Sequence, residues 1–342
     1  MPPQPANQCL TDSSASPTIS DESGISRRRA LTQGIAFLAV PALLSSAKAA
    51  PSKLEGDSPF SLHRKIAFVT GAARGIGRAI AVALAEAGAD IVGVDIAAPA
   101  SPDVVYAHAT PEDLKETGRL VEEKGRKFLG VVADTRDLDA LKLAVAKAEA
   151  DLGPISILVA DAGIQIFAPI LETTDRQWRD VIEINLIGTA NTIRAVAPQM
   201  VERKNGRIIL VASGQGRHGM KDGSAYSASK WGVIGLMKSV ALELAEHQIT
   251  VNTLEPGLVD TPMTRNPIRW NEALKEAGLS SHNNPTEEEV VAARLKSAVI
   301  KVPWLKPEDV APVAVFLASD AARMVTGATY DATGGDSANY TA

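Results

Sequence analysis

The sequence contains almost no cysteine, no excess of basic charge and no apolar run long enough to span a membrane. Cys9 is the only cysteine among 342 residues, which excludes an internal disulfide and a cysteine-rich metal site. The five histidines show no ligand spacing, so we predict no metal ion. With a formal net charge of −5, the chain has no electrostatic footprint for nucleic acid.

The first 49 residues are typical of a targeting segment rather than of a folded domain. Residues 1–24 are rich in Pro, Ser, Gln and Thr and cannot bury a core. Three arginines at 27–29 precede the apolar stretch 34–44. The small residues around 47–49 suit peptidase cleavage, and residues 50–64 follow as a linker.

This arrangement resembles a twin-arginine (Tat) signal peptide, although Ala30 stands where that pattern has Phe or Leu. The resemblance predicts export, folded, to a bacterial periplasm. A cytoplasmic protein with a disordered basic tail, or an uncleaved membrane anchor, are the alternatives. The apolar stretch is shorter than the roughly 20 residues of a spanning helix, so we expect no stable membrane insertion after processing.

Residues 65–342 show the pattern of one α/β domain. Short apolar runs alternate with helical stretches, which predicts a doubly wound parallel sheet of the Rossmann type. A helix at 307–319 and a short strand at 327–331 close the domain, and an insertion at about 262–307 is predicted to form a small lid. The predicted earlier strands are 66–70, 91–95, 128–133, 155–160, 207–212 and 249–254.

A glycine-rich loop directly follows the first predicted strand and opens an alanine-rich helix. Gly71 suits a tight turn, Gly75 lets the backbone approach a pyrophosphate, and Gly77 allows close helix packing. Arg74 and Ile76 lie between them, and helix-terminal N–H groups would face the anion. An ordinary glycine-rich turn is the alternative. The strand–loop–helix context instead favours dinucleotide binding.

Asp95 ends the second predicted strand, about 20 residues beyond the glycine loop. A carboxylate there accepts both ribose hydroxyls of NAD and repels the 2′-phosphate of NADP. Arg74 favours the opposite choice, because its charge can pair with a phosphate. We predict NAD, with NADP as the alternative.

Tyr226 and Lys230 stand four residues apart, and Ser213 ends an apolar run upstream. Residues i and i+4 share one face of a helix, so the ammonium is predicted to lie beside the phenol. A nearby cation favours the phenolate, which would bring a tyrosine pKa of about 10 toward neutral pH together with a nicotinamide cation. A solvated helix face is the alternative for this pair alone.

Taken in order, these motifs resemble those of the short-chain dehydrogenase/reductase family. The resemblance implies that Asn185, in Ile184-Asn185-Leu186, holds a water in a proton relay toward Lys230. It further implies that Ser213 orients the substrate oxygen and that Tyr226 exchanges the proton. Lys230 would also bind the nicotinamide ribose. The expected reaction is hydride transfer between a secondary alcohol and its ketone.

The same resemblance implies further cofactor contacts. Asp134 would meet the adenine edge, and Val259 and Thr261 the carboxamide end. The remaining cofactor contacts that the family motifs imply are Ala162, Gly163, Pro256 and Gly257. The family pattern Asn-Ala-Gly reads Asp161-Ala162-Gly163 here, and an ionised aspartate cannot donate the amide hydrogen bonds of asparagine.

Two insertions resemble the carveol-dehydrogenase-like, mycofactocin-associated branch of the family: 97–116 after Asp95, and 262–307. That branch holds NAD without ready exchange, and the first insertion is thought to cover the cofactor. The resemblance therefore implies a tightly held NAD that an external electron carrier reoxidises. Loops that only pack on the surface are the alternative. Family habit further implies a homotetramer.

The substrate is less defined by the sequence. Apolar candidates suit a hydrophobic cyclic alcohol, whereas polar candidates suit a sugar-like diol, and both remain open. A cytoplasmic NADP-linked ketoreductase and a non-catalytic dinucleotide sensor are the alternative functions. The predicted substrate-contacting residues are Gln165, Phe167, Gln215, His218, Met263, Trp270 and Trp304.

Overall fold

The computed structural model describes residues 58–282 and 284–339. The predicted Tat signal and residues 50–57 of the predicted linker lie outside these residues. The described part belongs to one structural unit, Lys53–Ala342.

Within the described residues, seven parallel strands form a single sheet in the order β3-β2-β1-β4-β5-β6-β7, which confirms the predicted doubly wound fold. β1 is buried along its whole length, as expected for a strand that helices cover on both faces. The order reverses between β1 and β4, and this is where such sheets bind ligands. The strands are Ile66–Thr70 (β1), Asp90–Asp95 (β2), Phe128–Val132 (β3), Ile157–Ala160 (β4), Gly206–Val211 (β5), Ile249–Pro256 (β6) and Thr329–Ala332 (β7).

Helices cover both faces of the sheet. Ala67 and Val69 of β1 pack on the side of α1, α2 and α9, whereas Ile66 and Phe68 pack on the side of α3, α5 and α6. This alternation follows from the two-residue period of a strand. The helices are Gly75–Glu86 (α1), Pro111–Glu123 (α2), Leu138–Asp151 (α3), Asp175–Ile182 (α4), Gly188–Arg203 (α5), Ser224–Leu244 (α6), Pro267–Glu276 (α7), Glu287–Ser297 (α8) and Pro307–Ala318 (α9).

The bounds of β1 agree with the prediction, whereas each of the other strands differs by one or two residues at one end or at both. β6 extends past the predicted end at 254 because Glu255 and Pro256 pair with Asp331 and Ala332 of β7. That pairing depends on a strand far along the chain, which local apolar patterning does not reveal. No helix within the described residues is both long and apolar enough to cross a membrane.

The predicted insertion at 262–307 carries α7 and α8. These two helices pack on each other, and Ala273, Val290 and Trp304 form a small apolar cluster between them. The guanidinium of Arg265 lies 3.9 Å from the centre of the Trp304 ring, and Arg265 also pairs with Asp260 at 2.7 Å. The insertion therefore has a core of its own, and part of it borders the cleft described next.

Candidate active site

A cleft of about 620 Å³ lies at the carboxyl ends of the strands, within the range of small-molecule and cofactor sites. Its walls come from the loops that follow the strands and from the lid. Most of the residues predicted from the sequence meet here: Gly71, Arg74, Gly75, Ile76, Asp95, Asp134, Ala162, Gly163, Gln165, Ser213, Gln215, His218, Tyr226, Lys230, Pro256, Gly257, Val259, Thr261, Met263 and Trp304.

The glycine loop has the geometry of a phosphate cradle. Gly71 and Gly75 adopt φ values of +69° and +58°, which side-chain-bearing residues rarely adopt. A Cβ on Gly77 would stand 2.2 Å from the carbonyl oxygen of Gly71, so only glycine fits there. Across the loop, the methyl group of Thr261 lies where it would touch a Cβ on Gly75 at 3.2 Å. The backbone is thus open to a diphosphate at the start of α1.

The carboxylate of Asp95 is held by two backbone N–H groups, one of them in the glycine loop. One carboxylate oxygen accepts the N–H of Ala73 at 3.0 Å, and the other accepts the N–H of Ala97 at 2.9 Å. These bonds leave lone pairs for further donors such as ribose hydroxyls. Arg74 lines the same cleft, and the negative charge of Asp95 acts on it, although burial lowers the pKa of Arg74. Asp95, which favours NAD, and Arg74, which favours NADP, therefore line the same cleft.

Ser213, Tyr226 and Lys230 come together where β5 ends and α6 begins. Ser213 follows β5, lines the cleft together with Tyr226, and accepts the N–H of Gln215 at 3.2 Å. The ammonium of Lys230 donates to the carbonyl oxygen of Val211 at 2.9 Å and lies 5.7 Å from the centre of the Tyr226 ring. Tyr226 and Lys230 are only 8% and 5% exposed. A hydroxyl, a phenol and a buried ammonium thus border one wall of the cleft.

Burial acts on the two titrating groups of this wall. Burial raises the pKa of Tyr226, while the hydrogen bond from Ser213 and the positive charge of Arg269 oppose that rise. Lys230 is itself buried, and burial lowers its pKa. These directions come from burial and from the protein's own charges, so the joint effect of Lys230 and a nicotinamide cation on Tyr226 stays a prediction.

Asn185 lies behind the cleft in a π-helical turn, Glu183–Ile187, between α4 and α5. Its side-chain oxygen accepts the N–H of Ile164 at 2.8 Å, and its amide donates to the Ile164 carbonyl at 2.9 Å. The amide also donates to Ser229 at 3.1 Å, and Ser229 donates to the Tyr226 carbonyl at 2.7 Å. Asn185 therefore fixes the loop after β4 against the helix that carries Tyr226 and Lys230.

Asp161, the departure from the family pattern, is half-buried and lines the cleft. Burial raises its pKa, while the charge of Lys230 and a hydrogen bond with the Gly77 backbone favour its ionised form. Its own N–H donates to the hydroxyl of Thr70 at 3.2 Å. The carboxylate of Asp161 thus accepts a hydrogen bond from the backbone of the glycine loop. An asparagine at this position could also donate through its amide group.

The other predicted residues occupy different places. Asp134 lines the cleft, but its carboxylate is held by Arg136 at 2.6 Å. Phe167 borders a smaller cavity of about 250 Å³ beside the main cleft. Trp270 packs with the apolar cluster of the lid, so it contacts the lid interior rather than the cleft.

Two cleft residues that carry strong interactions were absent from the sequence prediction of the site. Tyr106, in the insertion after Asp95, is buried and accepts the N–H of Gln165 at 3.1 Å. Arg269, on α7, lies 5.3 Å from the centre of the Phe167 ring and reaches the cleft. Neither has a local sequence signal, because each is brought to the cleft by the path of an insertion.

A doubly wound sheet with a glycine cradle and a Ser–Tyr–Lys group at its switch point defines a dinucleotide-dependent oxidoreductase. In agreement, a family model described as short chain dehydrogenase matches residues 65–272. The chain belongs to the short-chain dehydrogenase family. Within the described residues, no group of three or more His, Cys, Asp or Glu side chains could hold a metal ion.

Several named proteins are similar to this chain over most of their own length. The chain is 39% identical over 267 residues to (-)-trans-carveol dehydrogenase of Rhodococcus erythropolis, covering 77% of this chain and 94% of that protein. The crystal structure of carveol dehydrogenase from Mycobacterium avium in complex with NAD is similar at 37% identity and a TM-score of 0.75, covering 80% of this chain and 98% of that one. A short-chain dehydrogenase from Mycobacterium paratuberculosis bound to NAD has 39% identity and a TM-score of 0.73, covering 81% and 99%.

Proposed function

We propose that the protein interconverts a secondary alcohol and its ketone, with NAD as its cofactor. The observation that carries this proposal is that Ser213, Tyr226 and Lys230 line the same cleft as the glycine cradle. The naming of relatives as carveol dehydrogenases and as NAD-bound structures supports the same reaction class.

Each residue of the site has its own role in the proposed reaction. In alcohol oxidation Tyr226, as phenolate, takes the hydroxyl proton, and in ketone reduction the phenol returns it. Ser213 donates a hydrogen bond to the substrate oxygen and holds it against Tyr226. Lys230 keeps a positive charge beside this pair, and Asn185 holds the surrounding backbone in place. Bound NAD would supply the acceptor or donor of hydride.

The selection of NAD over NADP rests on Asp95. Its carboxylate is oriented by two backbone N–H groups and lines the cleft. A fixed negative charge binds ribose hydroxyls and repels a 2′-phosphate. Arg74 beside it favours the second candidate, an NADP-linked ketoreductase, which a comparison of both cofactors at equal concentration would separate.

The insertion after Asp95 supports a tightly held cofactor. It is fastened across the cleft to the loop after β4, because Tyr106 accepts the N–H of Gln165. It is fastened a second time through Asp103, whose two oxygens accept from Arg176 at 2.9 and 3.1 Å. A segment held at two points over the cofactor side of the cleft would slow the release of NAD.

The proposal has three further parts. The folded, NAD-loaded protein is exported by the Tat route, an external electron carrier reoxidises its cofactor, and the protein assembles as a homotetramer. The periplasm contains little free NAD, so an exported enzyme of this kind needs a cofactor that it retains. The sequence of residues 1–49 supports export. Empty protein in the periplasmic fraction, with fast turnover on added NAD, would contradict a retained cofactor.

The test of the reaction compares wild type with Tyr226→Phe. Denaturing release and mass analysis should first identify NAD in the purified protein. A panel of secondary alcohols, with an artificial electron acceptor, should then show turnover by wild type. Tyr226→Phe should keep NAD and lose at least about 100-fold in kcat, within the range of acid–base catalysis. Near-normal turnover by the variant would remove Tyr226 from this role, and no turnover by wild type would favour a dinucleotide sensor.

A further inference from the structure

The first turn of α1 carries an arginine that is hydrogen-bonded to the glycine loop. Arg78 directly follows Gly77, and its side chain is 25% exposed. Its Nη2 group donates to the carbonyl oxygen of Ala73, and its Nε–H donates to the hydroxyl of Thr117 on α2 at 3.0 Å. The guanidinium of Arg78 therefore connects the glycine loop to α2.

Thr117 holds the neighbouring peptide group of the same loop. It is fully buried, and its hydroxyl donates to the carbonyl oxygen of Ala72 at 2.8 Å. At the other end of that peptide group, the N–H of Ala73 donates to Asp95 at 3.0 Å. The carbonyl and the N–H of a trans peptide point in opposite directions. The peptide group between Ala72 and Ala73 is thus fixed from both sides, by α2 and by the carboxylate that is proposed to bind ribose.

Arg78 fixes the next peptide group of the loop. Because its guanidinium binds the carbonyl oxygen of Ala73, the N–H of Arg74 is turned away from Arg78. Arg74 is the N-cap residue of α1 and lines the cleft, so its N–H belongs to the helix terminus that is suited to an anion. The orientation of two successive N–H groups of the glycine loop therefore depends on hydrogen bonds from Arg78 and Thr117.

The same arginine holds the start of α2. Nη2 of Arg78 also donates to the carbonyl oxygen of Asp113 at 2.8 Å and lies 3.6 Å from the Asp113 carboxylate. Asp113 forms a capping box with Thr110 at the start of α2, and both residues belong to the insertion 97–116. The end of this insertion is therefore fastened to the glycine loop, whereas Tyr106 fastens its middle to the loop after β4.

We propose that Arg78 is a positioning residue for the cofactor. It sets the orientation of the peptide groups in the glycine loop and joins the insertion to that loop. An arginine suits this task because its planar guanidinium offers several N–H donors in a fixed geometry. The inference rests on NAD as the proposed cofactor but not on the alcohol–ketone reaction. Loss of the guanidinium should weaken the binding of NAD without changing the chemical step.

The test measures cofactor binding by calorimetry, on protein freed of NAD, for wild type and Arg78→Met. Hydrogen bonds from charged donors contribute more than neutral ones, so the dissociation constant of NAD should rise by at least about tenfold. ADP-ribose, which lacks nicotinamide, should lose affinity by the same factor, because the glycine loop serves the diphosphate half of the cofactor. With NAD at saturation, kcat should stay within about twofold of wild type. A loss of kcat without a loss of affinity would overturn this inference.

The matched control is Arg119→Met, which removes an exposed arginine of α2 that pairs with Glu116. It should bind NAD and ADP-ribose as wild type does. Arg78→Lys separates positioning from simple attraction between charges. The lysine keeps the positive charge but not the fork of donors, so its dissociation constant for NAD should stay at least about fivefold above that of wild type. Full recovery of affinity would assign the effect to charge and overturn the positioning role.

Thr117→Val tests the same loop without removing a charge, and it decides the matter if Arg78→Met fails to fold. Loss of the bond to Ala72 should weaken NAD binding by about fivefold. In the double variant the two factors should not multiply, because both side chains hold one loop. Unchanged affinity for NAD in the folded variants would overturn this inference and leave the proposed reaction intact. Failure of wild type to bind NAD would remove the proposed cofactor, and this inference with it.

Discussion

The carboxyl group of Asp161 and the ammonium of Lys230 both line the active-site cleft, and their opposite charges act on each other. Each is withdrawn from water, and each favours the charged form of the other. The negative charge of Asp161 also raises the pKa of Tyr226. One aspartate therefore acts on both titrating groups of the proposed mechanism, although it has no direct part in proton transfer.

Replacement of Asp161 by Asn should shift the whole pH profile of alcohol oxidation toward lower pH. Loss of the carboxylate lowers the pKa of Tyr226, so the rising limb, which needs phenolate, moves down. It also lowers the pKa of Lys230, so the falling limb moves down too. The measurement is kcat/KM against pH for wild type and Asp161→Asn. The surface variant Asp151→Asn is the control, and a shift of one limb alone would contradict this coupling.

Asp95→Asn should weaken the preference for NAD over NADP. The change removes the negative charge that repels a 2′-phosphate, while the amide oxygen still accepts one backbone N–H. We expect the ratio of the two dissociation constants, measured by calorimetry on protein freed of cofactor, to fall by about tenfold, or about 1.4 kcal/mol. Asp139→Asn, an exposed change on α3, is the control. An unchanged ratio would assign the selection to another residue, with Arg74 the first candidate.

Tyr106→Phe should speed the release of bound NAD. The phenylalanine leaves the N–H of Gln165 without its acceptor, and a buried hydrogen bond of this kind contributes about 1 kcal/mol. Exchange of bound NAD against labelled NAD in solution should become about fivefold faster. Tyr330→Phe, at a ring that packs edge-on against Phe316, serves for comparison. Equal exchange rates in both variants and wild type would show that the insertion does not retain the cofactor.

Glu255 should make the protein less stable as pH rises. It is fully buried at the end of β6, opposite Asp331 and 2.9 Å from Arg217. Burial, the largest cause, raises its pKa to about 8, whereas an unfolded glutamate titrates near about 4.3. Between these values the folded state keeps a proton that the unfolded state has lost. The free energy of unfolding should therefore fall by up to about 1.4 kcal/mol per pH unit.

Glu255→Gln should remove that slope, because glutamine stays neutral in both states. Denaturant unfolding of wild type and variant at several pH values between about 5 and 8 provides the measurement. Glu243→Gln, at an exposed position of α6, should leave the slope as it is in wild type. If Glu255→Gln retained the full slope, the carboxyl of Glu255 would not be its source.

Much of the fold was predictable from the sequence because the signals are local. The strand–loop–helix order around Gly71 and Gly77 depends on neighbouring residues, as does the shared helix face of Tyr226 and Lys230. By contrast, the extension of β6 to Pro256 depends on pairing with β7, and apolar patterning did not anticipate it.

The residues of the candidate site likewise fall into those that local sequence signals predicted and those that only the packing of the chain revealed. The amino-acid sequence by itself determined the fold class and which residue types meet the cofactor and the reacting oxygen. Only the tertiary structure placed Tyr106 and Arg269 at the cleft and Trp270 in the lid, because these positions depend on how insertions pack. It also showed that burial raises the pKa of Tyr226 and lowers that of Lys230, since loss of hydration and distant charges act through space rather than along the chain.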